Sequence, residues 1–235
     1  MRKLIFIIIP IFLLLSCSKN EKKISLIEEK SQELQLLELY NDAVTELQKG
    51  DVIYAAKKFN EAELIFPQSK WAPKASLMAA YAYYSQSYFD RSINELERYL
   101  YKYKKDPNRD YAYYLLALCY YDQIVDEKKD LGSISEAKKY FNVIIDEYPN
   151  TDFAIDSEFK LQVINEILAS KEMYLARFYV DKEKWIPATN RFKKIVNDYS
   201  QTIFVEEALH RLVEINYRIG LVNESKKYAS LLGYN

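Results

Sequence analysis

The chain has 235 residues, with 33 basic and 34 acidic side chains and a formal net charge of −1 at pH 7. This balance gives no basic excess for nucleic acid binding and no broad positive field for an anionic lipid surface. Four glycines and six prolines argue against a turn-rich β architecture, whereas abundant Leu, Ala, Glu and Lys favour an all-α fold.

The amino terminus has the order of a secretory signal: basic residues, an apolar run over residues 4–15, then a small residue before Cys17. The run is interrupted by Pro10 and is too short to cross a bilayer, which needs about 20 residues. With a cysteine at the cleavage point it resembles a bacterial lipoprotein signal, which implies removal of residues 1–16 and lipidation of Cys17. By family analogy, Ser18 fits sorting to the outer membrane, on its periplasmic side. The alternative is an ordinary signal peptide with a chance cysteine.

Residues 17–35 are polar with little periodicity, and we expect them to form a flexible tether between the lipid and the first helix. The mature chain would then have one internal cysteine, Cys119, in an apolar segment. A lone cysteine cannot form an intramolecular disulfide, so we predict that Cys119 is buried as a small hydrophobic residue.

Beyond residue 35 the chain repeats a pattern: a small residue, apolar residues four and seven positions later, and often a proline twelve positions later. Offsets of four and seven place these side chains on one face of a helix. The proline would end that helix. The copies are Ala55-Phe59-Ala62-Pro67, Ser92-Leu96-Tyr99, Ala137-Phe141-Ile144-Pro149, Ala188-Phe192-Ile195 and a truncated Ser225-Ala229-Leu232.

Each patterned helix follows another amphipathic one, with turns expected at Gly50 and Gly220, where glycine tolerates a left-handed conformation. Paired helices in this order resemble the tetratricopeptide repeat, whose period is 34 residues. We therefore predict a helical superhelix of about five irregular repeats, stabilised by stacking of neighbouring units.

Two insertions make the array irregular. Residues 121–135 are predicted to be an extended loop, and residues 154–184 lack glycine and proline. The second span predicts one long helix, with two helices broken near Ala169 as the alternative. It would join an amino-terminal group of repeats over residues 36–153 to a carboxy-terminal group over residues 154–235.

Four segments resemble the BamD (ComL) family: residues 81–103, 110–124, 147–157 and 172–199. The last is the most specific, because generic repeats do not share its YLARFYV…W…NRF order. One departure is the Lys-Lys-Asp-Leu sequence at residues 128–131, where the family usually has an Arg-Asp-Gln triplet.

This resemblance implies a non-enzymatic lipoprotein scaffold of the outer-membrane β-barrel assembly (BAM) complex. The expected partners are a BamA homologue, unfolded outer-membrane protein precursors and other Bam lipoproteins, with no nucleic acid. The alternative is a tetratricopeptide lipoprotein of another envelope process, either peptidoglycan-associated or involved in DNA uptake.

The sequence shows few residue patterns that would form a catalytic or metal site. The single histidine, His210, has no spaced second ligand that would predict a zinc site. The sequence contains no Gly-rich phosphate loop, nucleophile elbow or Cys-His arrangement. We expect neither a cofactor nor a catalytic site.

Tyrosines are concentrated on the first helices of the second and third units. Tyrosine combines a rigid apolar ring with one polar tip, which suits the binding of extended peptides. The family resemblance makes this half of the chain the candidate precursor groove, although about half of the tyrosines should be packing residues. The groove residues that we predict are Tyr81, Tyr83, Tyr84, Tyr111 and Tyr113.

A second interaction site is implied by the resemblance at Asn190 and Arg191. Both flank the predicted core residue Phe192, so they should point away from the core. In BamD-like proteins the corresponding Asn-Arg pair docks BamA, and an arginine there can bind a carboxylate through two hydrogen bonds. The alternative is a solvated arginine on a helix.

Overall fold

The computed structural model describes residues 25–124 and 131–234, which form ten helices and no strand. The helices are α1 (Ser25–Lys49), α2 (Val52–Ile65), α3 (Trp71–Tyr84), α4 (Phe89–Lys102), α5 (Arg109–Tyr121), α6 (Leu131–Glu147), α7 (Asp152–Asp181), α8 (Trp185–Asp198), α9 (Val205–Arg218) and α10 (Val222–Tyr234).

Each helix packs mainly against its neighbours in the sequence, and short turns make successive helices antiparallel. The helices therefore pair as α1–α2, α3–α4, α5–α6, α7–α8 and α9–α10, in five units. In the first four units the small residue of the pattern and the apolar residues four and seven positions later are all fully buried, Phe59 and Phe192 among them, whereas Pro67 and Pro149 are exposed. The predicted all-α tetratricopeptide-type fold is confirmed.

The fifth copy of the pattern was predicted wrongly at one position. Ala229 is exposed, and Tyr228 takes the buried position instead. In the same helix Ser225 is buried, and its hydroxyl donates to the Val213 carbonyl over 2.9 Å. α10 is the last helix of the described residues, and no later described helix packs on its second face, so the four-residue offset is not required by the packing described here.

The turns inside the first, second, fourth and fifth units share one geometry. Gly50 has φ +89° and Gly220 has φ +83°, as the sequence predicts. Ser87 (φ 60°) and Glu183 (φ 56°) occupy the same left-handed position in two other units. After each of these residues, the next backbone N–H donates to a carbonyl five residues earlier, as from Tyr88 to Tyr83. This is the helix-ending pattern that glycine ordinarily favours.

Two expected boundaries differ in the structure. Residues 25–35, which we expected to be part of the tether, are already helical in α1, because Leu, Glu, Gln and Lys lose little side-chain freedom in a helix. Residues 131–135, expected as loop, begin α6, which places Ile134 in the core one turn before Ala137. Cys17 and the rest of the expected tether lie outside the described residues, as do residues 128–130.

The long span between the repeat groups is one helix. α7 has 30 residues and continues through Ala169, so the alternative of two helices is wrong. Its start is capped by Thr151, whose hydroxyl accepts a hydrogen bond from the Ala154 N–H over 3.2 Å. Its first half contributes Ile164 to the core of the third unit, and its second half contributes Met173 to the core of the last two units.

A buried carboxylate links the first two units. Glu63 on α2 is only 1% exposed, and it accepts hydrogen bonds from Arg98 and Lys102 on α4 and from the Tyr103 hydroxyl. Burial alone would raise the pKa of Glu63, but the hydrogen bonds from Arg98, Lys102 and Tyr103 outweigh it and lower the pKa. Arg98 also donates to the buried Ser76 on α3, so three helices meet at this guanidinium.

Cys119 is buried on α5, as predicted, and its thiol contacts the Ser92 hydroxyl at 3.3 Å. Burial raises the pKa of this thiol to about 11. The side chain therefore remains a neutral thiol at physiological pH and serves packing.

Candidate functional site

Tyrosines on the first helices of successive units form a row, defined by Tyr81 and Tyr84 on α3 and Tyr111 and Tyr114 on α5. The Tyr84 hydroxyl donates to Asp122 at 2.8 Å, beyond the end of α5. In the same way, the Tyr114 hydroxyl donates to a carboxylate on α7. Burial is the main cause that raises the pKa of Tyr84 and Tyr114, and the neighbouring carboxylates raise it further. Both tyrosines are therefore neutral donors that connect one unit to the next.

The exposed part of this tyrosine row is small. Tyr81 is 37% exposed, whereas Tyr111 is half-buried and its ring lies 5.6 Å from that of Phe153. Burial raises the pKa of Tyr111 to about 12, and Tyr81 adds a smaller contribution. Phe159, 67% exposed on α7, lies one turn from Asp156, the carboxylate that Tyr114 contacts. An exposed aromatic side chain thus lies at each end of the row.

The other two predicted groove residues face elsewhere. Tyr83 packs against the core of the first unit and lies under the Arg91 guanidinium, 5.7 Å from its ring centre. Tyr113 accepts a hydrogen bond from Arg109 at 3.0 Å and stacks on Tyr140 of α6. The structure therefore brings Tyr81, Tyr84 and Tyr111 together but separates Tyr83 and Tyr113 from them. Adjacent helical positions diverge by about 100°, and tyrosine suits either environment.

The second predicted site lies between α7 and α8. A shallow groove there, named the α7–α8 groove, is lined by Tyr179, Ile186, Pro187, Asn190, Arg191 and Lys194. Asn190 is exposed, as predicted, and Ile186 is 71% exposed beside it. Arg191 is not a freely solvated arginine, because its guanidinium donates to Glu172 on α7 at 2.9 Å.

Glu172 is the residue of this site that the sequence did not reveal. It is only 5% exposed, and Lys194 donates to its other oxygen at 2.8 Å. Burial alone would raise the pKa of Glu172, but the hydrogen bonds from Lys194 and Arg191 lower it. An acidic residue in the apolar stripe that includes Ala169 and Met173 was the available signal, because a buried carboxylate requires a cationic partner.

The α7–α8 groove therefore combines a fixed positive edge with an exposed apolar side chain. Because one buried carboxylate holds both cations, the guanidinium is oriented before any partner arrives. Such pre-ordering lowers the side-chain entropy lost on binding. The groove can accept a carboxylate or carbonyl beside an apolar residue of a protein partner.

Within residues 25–124 and 131–234, no group of His, Cys, Asp and Glu side chains is arranged to hold a metal ion. His210 is exposed on α9, 3.8 Å from Glu214. No helix among the described residues is long and apolar enough to span a membrane.

Comparison with known families covers almost the same part of the chain. The family described as YfiO, outer membrane lipoprotein, matches residues 32–232. The chain belongs to this family. The resemblance of segments 81–103 and 172–199 to the BamD family is thereby confirmed, because the relatives of this YfiO-family protein include several named BamD.

Two relatives are each named outer membrane protein assembly factor BamD. The protein of Caulobacter vibrioides is 35% identical over 220 residues, which cover 93% of this chain and 71% of the relative. The protein of Rickettsia prowazekii is 37% identical over 197 residues, covering 84% and 78%. Among solved structures, a tetratricopeptide repeat protein from Parabacteroides merdae aligns with a TM-score of 0.40 at 16% identity, over 84% of this chain and 65% of that one.

Proposed function

We propose that this YfiO-family protein is a non-enzymatic, lipid-anchored scaffold for the assembly of outer-membrane proteins. The observation that carries the proposal is the family match over residues 32–232, together with relatives named as assembly factors at 35% and 37% identity. The scaffold holds a BamA homologue through its carboxy-terminal units and unfolded precursors through its amino-terminal units. Its anchor is a lipid on Cys17, at the periplasmic side of the outer membrane.

The α7–α8 groove is the proposed contact for the BamA homologue. Its support is the combination of the exposed Ile186 and Asn190 with the oriented Arg191, on the segment that resembles the BamD family most specifically. A charge-assisted hydrogen bond from Arg191 to a partner carboxylate would add to the apolar contact at Ile186. Other Bam lipoproteins are further proposed partners of the same complex.

The tyrosine row is the proposed contact for precursors. Tyr81 and Phe159 supply exposed aromatic surface at its two ends, while Tyr84, Tyr111 and Tyr114 form a firm base between them. The contact is smaller than the sequence implied, because Tyr83 and Tyr113 face the second helices. Unfolded chains rich in aromatic residues would pack on such a surface without requiring a defined sequence.

Co-purification tests the proposal. Membranes are extracted in mild detergent, the tagged protein is captured, and associated proteins are identified by mass spectrometry. Recovery of a BamA homologue is the expected result. Its absence, with other envelope proteins recovered instead, would favour the alternative of a lipoprotein of peptidoglycan or DNA-uptake systems.

The groove is tested with Ile186→Asp, which changes an exposed side chain and leaves the Glu172 contacts in place. We expect at least about a tenfold loss of captured BamA homologue, equivalent to about 1.4 kcal/mol. The matched control is Ile203→Asp, at another highly exposed isoleucine that lies outside the groove. Equal capture by both variants would move the contact elsewhere. Arg191→Glu should also weaken capture, but it places a second carboxylate beside Glu172 and first requires a check of folding by circular dichroism.

The precursor contact is tested with the double variant Tyr81→Ala and Phe159→Ala. Photo-cross-linking of an unfolded outer-membrane protein should decrease several-fold, whereas Tyr217→Ala, an exposed tyrosine on α9, should retain it. Unchanged cross-linking in the double variant would contradict the precursor contact. The anchor has its own test, because Cys17→Ser should release a folded protein into the periplasm.

A further inference from the structure

The first two loops between units form a lysine-rich part of one edge of the helical array. Turns inside the units lie at one edge, and the loops between units, beginning with residues 66–70 and 103–108, lie at the other. Four lysines lie in or beside those first two loops, and all are exposed. With the exposed side chains of Tyr101 and Leu64 at the ends of α4 and α2, they form a surface named the basic edge. Its lysines are Lys70, Lys74, Lys104 and Lys105.

The lysines of the basic edge are not neutralised within the protein. Among the described residues, none of the four forms an ion pair within 4.0 Å. Instead, Lys74 lies 4.9 Å from the Trp71 ring and Lys104 lies 5.4 Å from the Tyr101 ring. Tyr101 is exposed, whereas Trp71 is partly buried. Positive charges beside aromatic side chains are typical of surfaces that bind at a membrane interface.

One carboxylate, Asp106, shares the groove formed by Tyr101, Lys104 and Lys105. It is already engaged, because it accepts hydrogen bonds from the Tyr99 hydroxyl at 2.6 Å and from a backbone N–H at 2.9 Å. Lys102, also at this groove, is held by the buried Glu63 at 2.7 Å. The remaining lysines therefore give this edge a local positive field, although the whole chain carries a net charge of −1.

The chain leaves the repeats toward the membrane anchor at this same edge. In α1, Leu36 packs with Ala62 and with Trp71, which are next to the first loop between units. Residues 25–35 continue α1 beyond this point for about 16 Å. The eight residue steps from Ser25 back to Cys17 can add no more than about 28 Å. If Cys17 carries the lipid, as the proposed function holds, the basic edge is the part of the repeat array nearest the bilayer.

We infer that the basic edge binds the anionic headgroups of phospholipids in the membrane that holds the anchor. The lysines attract the headgroup phosphates, and Tyr101 and Leu64 enter the interfacial layer. Several basic side chains near an anionic surface supply additive attraction over one Debye length. This contact would orient the array and add a second attachment to the lipid, and the inference rests on the proposed anchoring at Cys17.

The test removes the lipid and keeps the rest of the chain. Cys17→Ser protein is purified from the periplasm and floated with vesicles of equimolar phosphatidylglycerol and phosphatidylcholine, or of phosphatidylcholine alone. We expect binding to the anionic vesicles that disappears at high salt. Adding Lys104→Glu and Lys105→Glu should weaken it by about tenfold or more.

The matched control is Lys182→Glu with Lys184→Glu, which makes the same charge change at the opposite edge, in the turn between α7 and α8. It should bind nearly as the parent does. Equal losses in both double variants, or no preference for the anionic vesicles, would overturn the inference. Absence of vesicle binding, with Lys104-dependent binding of a polyglutamate peptide, would replace the lipid with an acidic protein segment. None of these readouts depends on BamA, so failure here is distinguishable from failure of the scaffold proposal, which co-purification tests.

Discussion

Arg98 and Glu63 form a two-point contact between successive units: one guanidinium nitrogen lies 2.8 Å from one carboxylate oxygen, and another lies 3.0 Å from the second. The carboxylate is buried, whereas the guanidinium is partly exposed. Planar pairing of this kind fixes the relative position of the two helices more tightly than apolar packing alone. The contact therefore sets the register of the first unit on the second.

Arg98→Ala should lower the free energy of unfolding by about 2 kcal/mol, because it leaves a buried carboxylate with Lys102 as its remaining cation. The matched control is Arg177→Ala, which breaks a more exposed ion pair with Glu207 and should cost less than about 1 kcal/mol. Urea unfolding followed by circular dichroism measures both. An equal loss of stability in both variants would show that the Arg98–Glu63 pair stabilises the fold no more than an exposed ion pair does.

Stability should fall steeply in acid. The pKa values of Glu63 and Glu172 lie below their ordinary value of 4.5 in the folded protein, so the unfolded chain binds more protons as the pH falls. Both ion-pair networks therefore stabilise the fold fully above about pH 5, and this contribution is lost as the pH falls through 4.5 toward the lower folded values. Unfolding midpoints measured from neutral pH to about pH 3 give the stability as a function of pH.

Glu63→Gln separates this effect from general acid unfolding. The variant should be less stable at neutral pH by about 2 kcal/mol or more, and it should lose less stability than the parent between about pH 5 and pH 3. Glu61→Gln, at a more exposed carboxylate on the same helix, should keep the parent curve. If the stability of Glu63→Gln fell with pH as steeply as that of the parent, the role of the Glu63 carboxylate would be contradicted.

Substitutions at two of the four left-handed turn positions should change the free energy of unfolding in opposite directions. Ser87→Gly should raise the free energy of unfolding by about 0.5–1 kcal/mol, since it relieves a positive φ that disfavours residues with a Cβ. Gly50→Ala should lower it by about 1 kcal/mol. A Cβ at Gly50 would meet no atom within 4 Å apart from those of Gly50 and its two chain neighbours, so the loss would be conformational. Thermal melts of both variants measure these changes, and a higher melting temperature for Gly50→Ala would contradict this explanation.

Thr189 offers a stabilising substitution. Its hydroxyl oxygen is buried on α8 and has no hydrogen-bond partner within the described part of the chain. Thr189→Val keeps the shape, removes the unsatisfied group and should stabilise the fold by about 1 kcal/mol. Thr202 is equally buried, but its hydroxyl donates to the Tyr199 carbonyl at 2.8 Å, so Thr202→Val should be destabilising by a similar amount. The two variants shifting in the same direction would contradict this explanation.

The sequence predicted the buried faces well because apolar spacing and helical period are both local properties. Phe59, Phe141 and Phe192 occupy equivalent core positions in three units, as their spacing implied. Pairing between distant side chains is not local, which is why the contact of Arg191 with Glu172 was missed. Periodicity also cannot separate Tyr81 from Tyr83, because a tyrosine ring suits both a packed and an exposed position.

The unbroken course of α7 has a mechanical consequence. Asp156 accepts a hydrogen bond from Tyr114 of the tyrosine row, and Glu172 accepts one from Arg191 of the α7–α8 groove. Both carboxylates belong to α7, and the 16 residue steps between them correspond to about 24 Å along the helix. Changing that spacing would require breaking backbone hydrogen bonds in the middle of the helix. The tyrosine row and the α7–α8 groove therefore keep a fixed separation, and a tilt of α7 caused by binding at one of them would also move the other.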